Sequence, residues 1–335
     1  MKNKILLIVV TFTLCIIGFK KFFYHSFVSK NIVSVFKKYM LTDDIDKKSV
    51  NFTQDSMLQA NEITGFDELF QKIDYFVSHN KPLILSMVGF PYKSSNTQDK
   101  VVLSEIDGAE YYSLSYLQTF LNEIKKQYSP GAQLYIFTDG VVFCDIEAIS
   151  DENVIAYEDS LKKIAQSLDN ITIVTMRDLV PGKTTQEIRA VIATLAPSLE
   201  NFNEMIRVDA KLLNDIDVLA ERIKFELALL SINSDDAYKI AFDETRRSLQ
   251  LSSFLKQFRS PETILCSVHF QKDVGKKIGL KLSSSYVTPW HGILVEDNNG
   301  QSTIVHRKDI NESLYQRKHY KINGLELLYL KENGY

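Results

Sequence analysis

Apolar residues recur along this chain as short continuous runs and as helical stripes, and their order predicts the architecture. Pro82-Leu83-Ile84-Leu85-Ser86-Met87-Val88-Gly89-Phe90 is a compact apolar run bounded by breakers, which predicts a buried strand. Before it, Phe66, Leu69, Phe70, Ile73, Phe76 and Val77 keep helical spacing. After it, Leu114, Leu117, Leu121 and Ile124 mark one face of a helix from about 109. Pro130-Gly131 ends that helix ahead of a strand over 132–138. Leu161, Ile164, Ala165 and Leu168 give a further helix, and Ile171-Thr172-Ile173-Val174 a short strand. Alternating strands and helices with compact turns predict an α/β fold around a mainly parallel, doubly wound sheet flanked by helices.

The middle third changes character. Leu212, Ile216, Leu219, Ile223, Leu227 and Leu230 keep one apolar face over five turns, and Leu251, Phe254, Leu255 and Phe258 do so again. These stripes predict a helical middle section whose apolar residues are core, with no chemistry assigned to them. The last part is strand-rich: Ile264 to Phe270, Ile278 to Leu282, and a hairpin from Ile293 to His306 around Asn299-Gly300.

At the amino terminus, Ile5 to Phe19 is apolar apart from two Thr and is bracketed by Lys residues. With Phe22 and Phe23 it approaches the length of a bilayer span, which predicts a membrane anchor through residues 5–23. A cleaved signal peptide and an apolar extension packed on the body are the rival readings. No small-x-small cleavage site follows, which disfavours the first rival. More Lys follow the run than precede it, so the body is expected to face the cytoplasm. Residues 41–62 are polar and acidic and read as a linker. The expected division is an anchor with its basic flank over 1–40, a linker over 41–62 and a catalytic domain over 63–335.

Charge and cysteine content narrow the function. Of 39 basic residues, seven Lys lie in the first forty positions, which hold no Asp or Glu; 32 basic residues then face 42 acidic ones in the remainder. A body this acidic is a poor polyanion ligand, so nucleic-acid binding is not expected. Three Cys in 335 residues do not make a disulfide framework and fit a reducing compartment.

Two strand ends carry candidate chemistry. Gly89-Phe90-Pro91-Tyr92-Lys93-Ser94-Ser95-Asn96 places an ammonium, hydroxyls and a carboxamide just beyond a strand, where open α/β sheets hold ligands. Lys93, Ser94 and Asn96 in this setting suit a phosphate, although an ordinary surface turn has the same composition. Thr138-Asp139-Gly140 ends the second strand, and Asp145 follows six residues after Asp139. Both Asp are candidates to hold an amine or act as general bases, with Gly140 expected to supply a positive φ. His269 ends a later strand, and His291 follows Thr288-Pro289-Trp290; either imidazole suits proton transfer near neutral pH. Lys276, Lys277 and Lys281 add positive potential or form a solvated charge run. Pro181-Gly182-Lys183-Thr184-Thr185 is not a nucleotide loop, because Arg177 stands where the first glycine is required. The six His are scattered, and a metal site from His269, His291 and His306 is disfavoured.

Taken in order, several segments make the chain resemble the isocyanide (isonitrile) synthase family, also called the pyoverdine/dityrosine biosynthesis family. They are Phe90-Pro91-Tyr92-Lys93-Ser94-x-Asn96, Lys100-Val101, Asp107-x-x-Glu110, Tyr128-x-Pro130-Gly131-Ala132 and Thr138-Asp139-Gly140-x-x-Phe143-x-Asp145. Tyr157-x-x-x-Leu161, Val268-His269, Lys277-Ile278-Gly279-Leu280-x-Leu282 and Thr288-Pro289-Trp290-His291-Gly292 continue the series. The resemblance implies a Rossmann-like fold that needs no metal or organic cofactor. It implies condensation of an amino acid, typically tyrosine or tryptophan, with ribulose 5-phosphate, whose carbonyl carbon becomes the isonitrile carbon. By carry-over, Lys93, Ser94 and Asn96 would meet the sugar phosphate. Asp139, His269 and His291 would move protons, Trp290 would wall the pocket, and Asp145 and Lys277 would contact substrate. An Fe(II)/2-oxoglutarate oxygenase is the implied downstream partner.

The chain departs from that pattern at Ser95 and Phe270, where proline is expected, and at the missing proline before Asp107. These positions flank the polar residues, so substrate shape is affected more than reaction type. Two other classes stay open: a membrane-tethered binding protein for a phosphorylated metabolite, and a lyase or transferase acting on another sugar phosphate.

Overall fold

A computed structural model describes residues 24–42, 63–227 and 230–334. The run expected to enter a membrane, residues 5–23, and most of the expected linker lie outside the described residues. Among those described, no helix is long and apolar enough to cross a membrane.

Five parallel strands make the central sheet: β1 (Leu83–Val88), β2 (Ala132–Phe137), β3 (Ile171–Val174), β4 (Ile264–Ser267) and β5 (Ile278–Gly279), in the order β3-β2-β1-β4-β5. The apolar runs are continuous because helices cover both faces. Leu83, Leu85 and Met87 sink into one core layer while Val88 packs against the other. The first layer is closed by α2 (Phe66–Ser78), α3 (Gly108–Gln127) and α5 (Asp151–Ala165), whose predicted apolar faces are buried. The second is closed by α4 (Gly140–Phe143), α6 (Met176–Leu179), α7 (Thr185–Ala193) and the end of α10 (Ser234–Leu255). Chain order reverses between β1 and β4, which makes their carboxyl ends the topological switch point where open α/β sheets bind ligands.

The helical middle section is present as expected. Helices α8 (Leu199–Val208) and α9 (Ala210–Glu226) pack with the first half of α10 around a small core of their own, including Phe202, Ile216, Ile223 and Ala241. Leu230 and Phe258 end their stripes exposed, because the helices stop before those positions. The strand-rich end forms a second sheet, β6 (Ile293–Glu296), β7 (Ser302–Val305), β8 (Tyr315–Ile322) and β9 (Leu325–Glu332), in the order β7-β6-β9-β8. The β6–β7 hairpin is the one read from Asn299-Gly300.

Three expectations are corrected. Residues 24–39, assigned to an anchor flank, form helix α1, with Ile32 and Phe36 fully buried in the first core layer and Phe36 edge-on to Phe120 at 5.2 Å. The chain after α1 then pairs with the sheet margin, where Met40 bridges Leu280 and Leu41 N donates to Gly279 O. A cut between anchor flank and body at residue 40 therefore divides one core. The strands expected over Ile264–Phe270 and Ile278–Leu282 are shorter, ending at Ser267 and Gly279. The Ser267 hydroxyl accepts from His269 N at 3.1 Å and turns the chain out of the ladder.

Candidate active site

Helix α3 organises the polar interior. Asp107 caps it: Oδ1 accepts from Ala109 N at 2.8 Å, and Glu110 reaches back to Asp107 N at 3.0 Å, a reciprocal capping box. Lys93 uses the same two carboxylates. Its Nζ has no exposed surface and lies 2.9 Å from Asp107 Oδ1, 3.1 Å from each Glu110 oxygen and 2.8 Å from Pro289 O. The Tyr157 hydroxyl adds a donor to Glu110 Oε1 at 3.2 Å. Burial, with Asp107 adding to it, pushes the Glu110 carboxyl up to about 8 against the pull of Lys93.

Ser94 and Asn96 are likewise engaged. Ser94 Oγ donates to Glu226 Oε2 at 3.1 Å; Asn96 Nδ2 donates to Phe225 O at 3.1 Å, and its Oδ1 accepts from Asp99 N at 2.9 Å. The open phosphate cradle expected of Lys93, Ser94 and Asn96 is therefore replaced by a loop stitched to α3 and α9. The physical reason is burial, since an ammonium and two polar side chains below the surface require protein partners.

Glu226 is the centre of a second network. It accepts from Lys100 Nζ at short range and from His291 Nε2 at 2.8 Å. Burial opposes its ionisation, but the hydrogen bond from His291 and the charge and hydrogen bond of Lys100 hold the carboxyl well below the usual carboxylate range. Burial pushes His291 down to about 4, with Glu226 opposing and Lys100 assisting. The imidazole is thus neutral at pH 7, with Nε2–H donating to Glu226 and Nδ1 accepting from the Thr288 hydroxyl at 3.1 Å. His306 Nδ1 donates to the His291 carbonyl at 2.8 Å, so these two rings are tied through backbone and share no common ligand point. Among the described residues no group of three or more His, Cys, Asp and Glu is arranged to hold a metal.

The switch point itself is lined by the ends of β1, β2 and β4. Trp290 is buried, edge-on to Phe90 at 5.2 Å, and a Cβ at Gly89 would lie 3.1 Å from Val268 and 3.5 Å from the Trp290 ring. Phe90 holds the left-handed φ of 59°, a conformation costing about 1–3 kcal/mol for a non-glycine residue. Asp139 stands at the end of β2. Its Oδ1 is shielded from solvent and has no hydrogen-bond partner among the described residues. Burial pushes Asp139 up to about 7, with Glu244 adding to the rise and His269 opposing it. Gly140 does not take the positive φ expected of it; it opens α4. Glycine is required there by close approach, because a Cβ would lie 2.0 Å from Pro91 O.

Two further carboxyls lie near Asp139 and were not read from the sequence. Burial raises Glu244 of α10 to about 7, with Arg222 and His269 opposing. Glu147, hydrogen-bonded to Tyr92, rises to about 8 through burial and the charge of Glu244. Glu226, Glu244 and Arg222 lie on helices whose apolar stripes absorbed the sequence reading, and only their polar faces carried a signal. Of the remaining expected residues, Asp145 is paired with Arg247 at 2.6 and 3.1 Å and so braces α4 on α10. Lys277 is exposed beside β5.

The sequence profile described as pyoverdine/dityrosine biosynthesis protein matches residues 73–226 and 231–317. The L-tryptophan isonitrile synthase AmbI2 of Fischerella ambigua is 29% identical over 245 residues, covering 68% of this chain and 72% of that protein. The L-tyrosine isonitrile synthase of Pseudomonas aeruginosa is 27% identical over 262 residues, covering 72% and 78%. The crystal structure of the PvcA protein from Pseudomonas aeruginosa superposes with a TM-score of 0.75 at 22% identity, covering 91% of this chain and 100% of that one, a likeness of fold.

Proposed function

The chain belongs to the pyoverdine/dityrosine biosynthesis family, and on that premise we propose that it is an isonitrile synthase. In this reading it converts the α-amino group of tyrosine or tryptophan to an isonitrile, with ribulose 5-phosphate as carbon donor, by carbon–carbon cleavages of the lyase type. The observation that carries it is Asp139, a shielded carboxyl with an unmet acceptor at the switch point, raised to about 7. Such a group takes a proton from an ammonium near neutral pH, the first requirement for attack of an amine on a ketone. Trp290 and Phe90, buried edge-on to each other, brace the carboxyl end of β1 beside it.

His269 and Glu244 flank Asp139 and are suited to the later proton transfers. Neutral His291 is a donor held in place by Glu226 rather than a free base. Lys93 is a positioning residue: its ammonium fixes Asp107, Glu110 and the Pro289 carbonyl, and through the last the segment that carries Trp290. The amino-terminal run would tether the enzyme to a membrane with the body in the cytoplasm, and an Fe(II)/2-oxoglutarate oxygenase would consume the product.

The test is to incubate the full chain with ribulose 5-phosphate and each amino acid and to follow products by mass spectrometry and isonitrile infrared absorption. An isonitrile that Asp139→Asn fails to make supports the reading. Binding of the sugar phosphate without turnover of any amino acid moves the assignment to a binding protein, and cleavage of the sugar without an isonitrile moves it to a lyase or transferase.

A further inference from the structure

Helices α8 and α9 and the first half of α10 meet the rest of the molecule through two sets of polar contacts at opposite ends. The core they enclose is their own. Its buried residues, from Phe202 to Ala241, and the part-buried ones packed on them, up to Leu249, all come from these helices and their connections. At one end Gln250 ties together the two chain segments that join the helices to the sheet. Its Nε2 donates to the carbonyls of Ala193, Leu195 and Pro197 at 3.3, 3.2 and 3.0 Å, just ahead of α8. Arg247 binds Asp145 and the Val142 carbonyl on the same side, beside α4.

The other end is the last turn of α9. There Glu226 takes Ser94, Lys100 and His291, and the Phe225 carbonyl accepts from Asn96 Nδ2 at 3.1 Å. Lys100 and Lys308 place Nζ 5.2 and 4.5 Å from the centre of the Phe225 ring. One footing thus lies at α4, which Asp139 opens, and the other at the loop beyond β1, so the helices span the switch point. Glu244, between the two footings, is near enough to add to the rise of the Asp139 carboxyl. Asp139 Oδ1 is shielded from solvent with its acceptor unmet, so a reactant reaches it only after some neighbour moves. The helical unit moves at least cost. Its apolar core travels with it, and the contacts to be broken at Glu226 and Phe225 are polar ones that water replaces on opening.

We propose that α8, α9 and the first half of α10 form a lid over the switch point, hinged beside Gln250 and latched by Glu226. Opening parts Glu226 from Ser94, Lys100 and His291 and admits reactants to Asp139; closing restores a site from which water is excluded. The latch also sets the segment that carries Trp290, since Ser94 N donates to Trp290 O at 2.9 Å and His291 is the next residue. The lid follows from these contacts alone; that it closes over an amino acid and a sugar phosphate rests on the synthase reading.

The experiment compares the full chain with Glu226→Gln and with Phe225→Ala, whose exposed ring makes it the milder change for folding. Hydrogen exchange followed by mass spectrometry reports each segment, and acrylamide quenching reports Trp290, the one tryptophan of the chain. Loss of a charge-assisted hydrogen bond predicts about a 10- to 100-fold rise in the open population of Glu226→Gln, with a smaller rise in Phe225→Ala. Exchange quickens by that factor in residues 94–100 and 139–143, and Trp290 becomes quenchable. Residues 216–223 of α9 keep their wild-type protection, because the lid core moves as one unit. Unchanged exchange and quenching in both variants overturns the latch. Protection lost along the whole of α9 overturns the lid as well, since Glu226 would then hold the helices folded rather than closed. Neither readout depends on turnover: a lid that behaves as expected in a protein making no isonitrile stands, while the synthase reading falls.

Discussion

Lys93 Nζ lies 3.1 Å from both oxygens of Glu110 in a region with no solvent contact, and Asp107 completes the cluster at 2.9 Å. One cation faces two carboxyls there. Removing it leaves uncompensated buried charge, so Lys93→Met is expected to cost about 3–5 kcal/mol of stability. Urea denaturation measures this. The double variant Lys93→Met, Asp107→Asn recovers part of the loss, whereas equal losses in single and double variants would show that the pair is not coupled.

Helix α1 makes the body longer than its sequence suggests. Ile32 and Phe36 are fully buried, and burying each contributes about 1.5–3 kcal/mol. A protein starting at residue 63 loses both, together with the pairing of Met40 and Leu41 with the sheet margin. A net stability of about 5–15 kcal/mol leaves little room for that loss. Thermal denaturation should show a start at residue 24 retaining a cooperative transition and a start at residue 63 losing much of it.

Stability should fall as pH rises. Burial raises Glu110 and Glu147 to about 8 and Asp139 and Glu244 to about 7. A carboxyl raised on folding binds its proton more tightly in the native state, so its contribution is complete below the ordinary carboxylate value. That contribution is lost as pH climbs through the raised one. The expected thermal midpoint is therefore highest near about pH 5 and declines toward about pH 9. Glu226 and Asp151, held low by their partners, act in the opposite sense and lose their contribution only in stronger acid. A midpoint that rises between neutral and alkaline pH would contradict the raised carboxyls.

Asp139→Asn keeps the shape of the side chain and removes the base. Product formation should drop by about 100- to 10,000-fold with little change in denaturation midpoint. In the wild-type protein kcat/KM should rise with pH through about 7 as Asp139 ionises. An undiminished rate in Asp139→Asn would remove this residue from the chemistry.

What the sequence disclosed followed from local rules, and what it hid followed from distance. The parallel sheet was legible because apolar runs, helical stripes and breakers alternate, and the place of Asp139 just beyond a strand because an Asp-Gly pair closes that run. The fate of Lys93 was not legible, since its partners lie at 107, 110 and 289 and only folding shows them to be buried together. Glu226 and Glu244 escaped for a related reason: they sit on the polar sides of helices recognised by their apolar stripes, and no spacing rule says which polar side faces a cleft. Helix α1 was masked by its neighbour, because the basic flank of an apolar run reads as a topogenic signal. Its buried positions Val28, Ile32, Val35, Phe36 and Tyr39 nevertheless keep helical spacing.

The most direct test of the synthase reading follows a single atom. The full chain is incubated with tyrosine or tryptophan and ribulose 5-phosphate labelled with carbon-13 at the ketone, and the product is examined by mass spectrometry and infrared absorption. The account predicts an isonitrile that carries the label and whose stretching band moves to lower frequency. Recovery of the amino acid unchanged, from a folded protein that still binds the sugar phosphate, would contradict it.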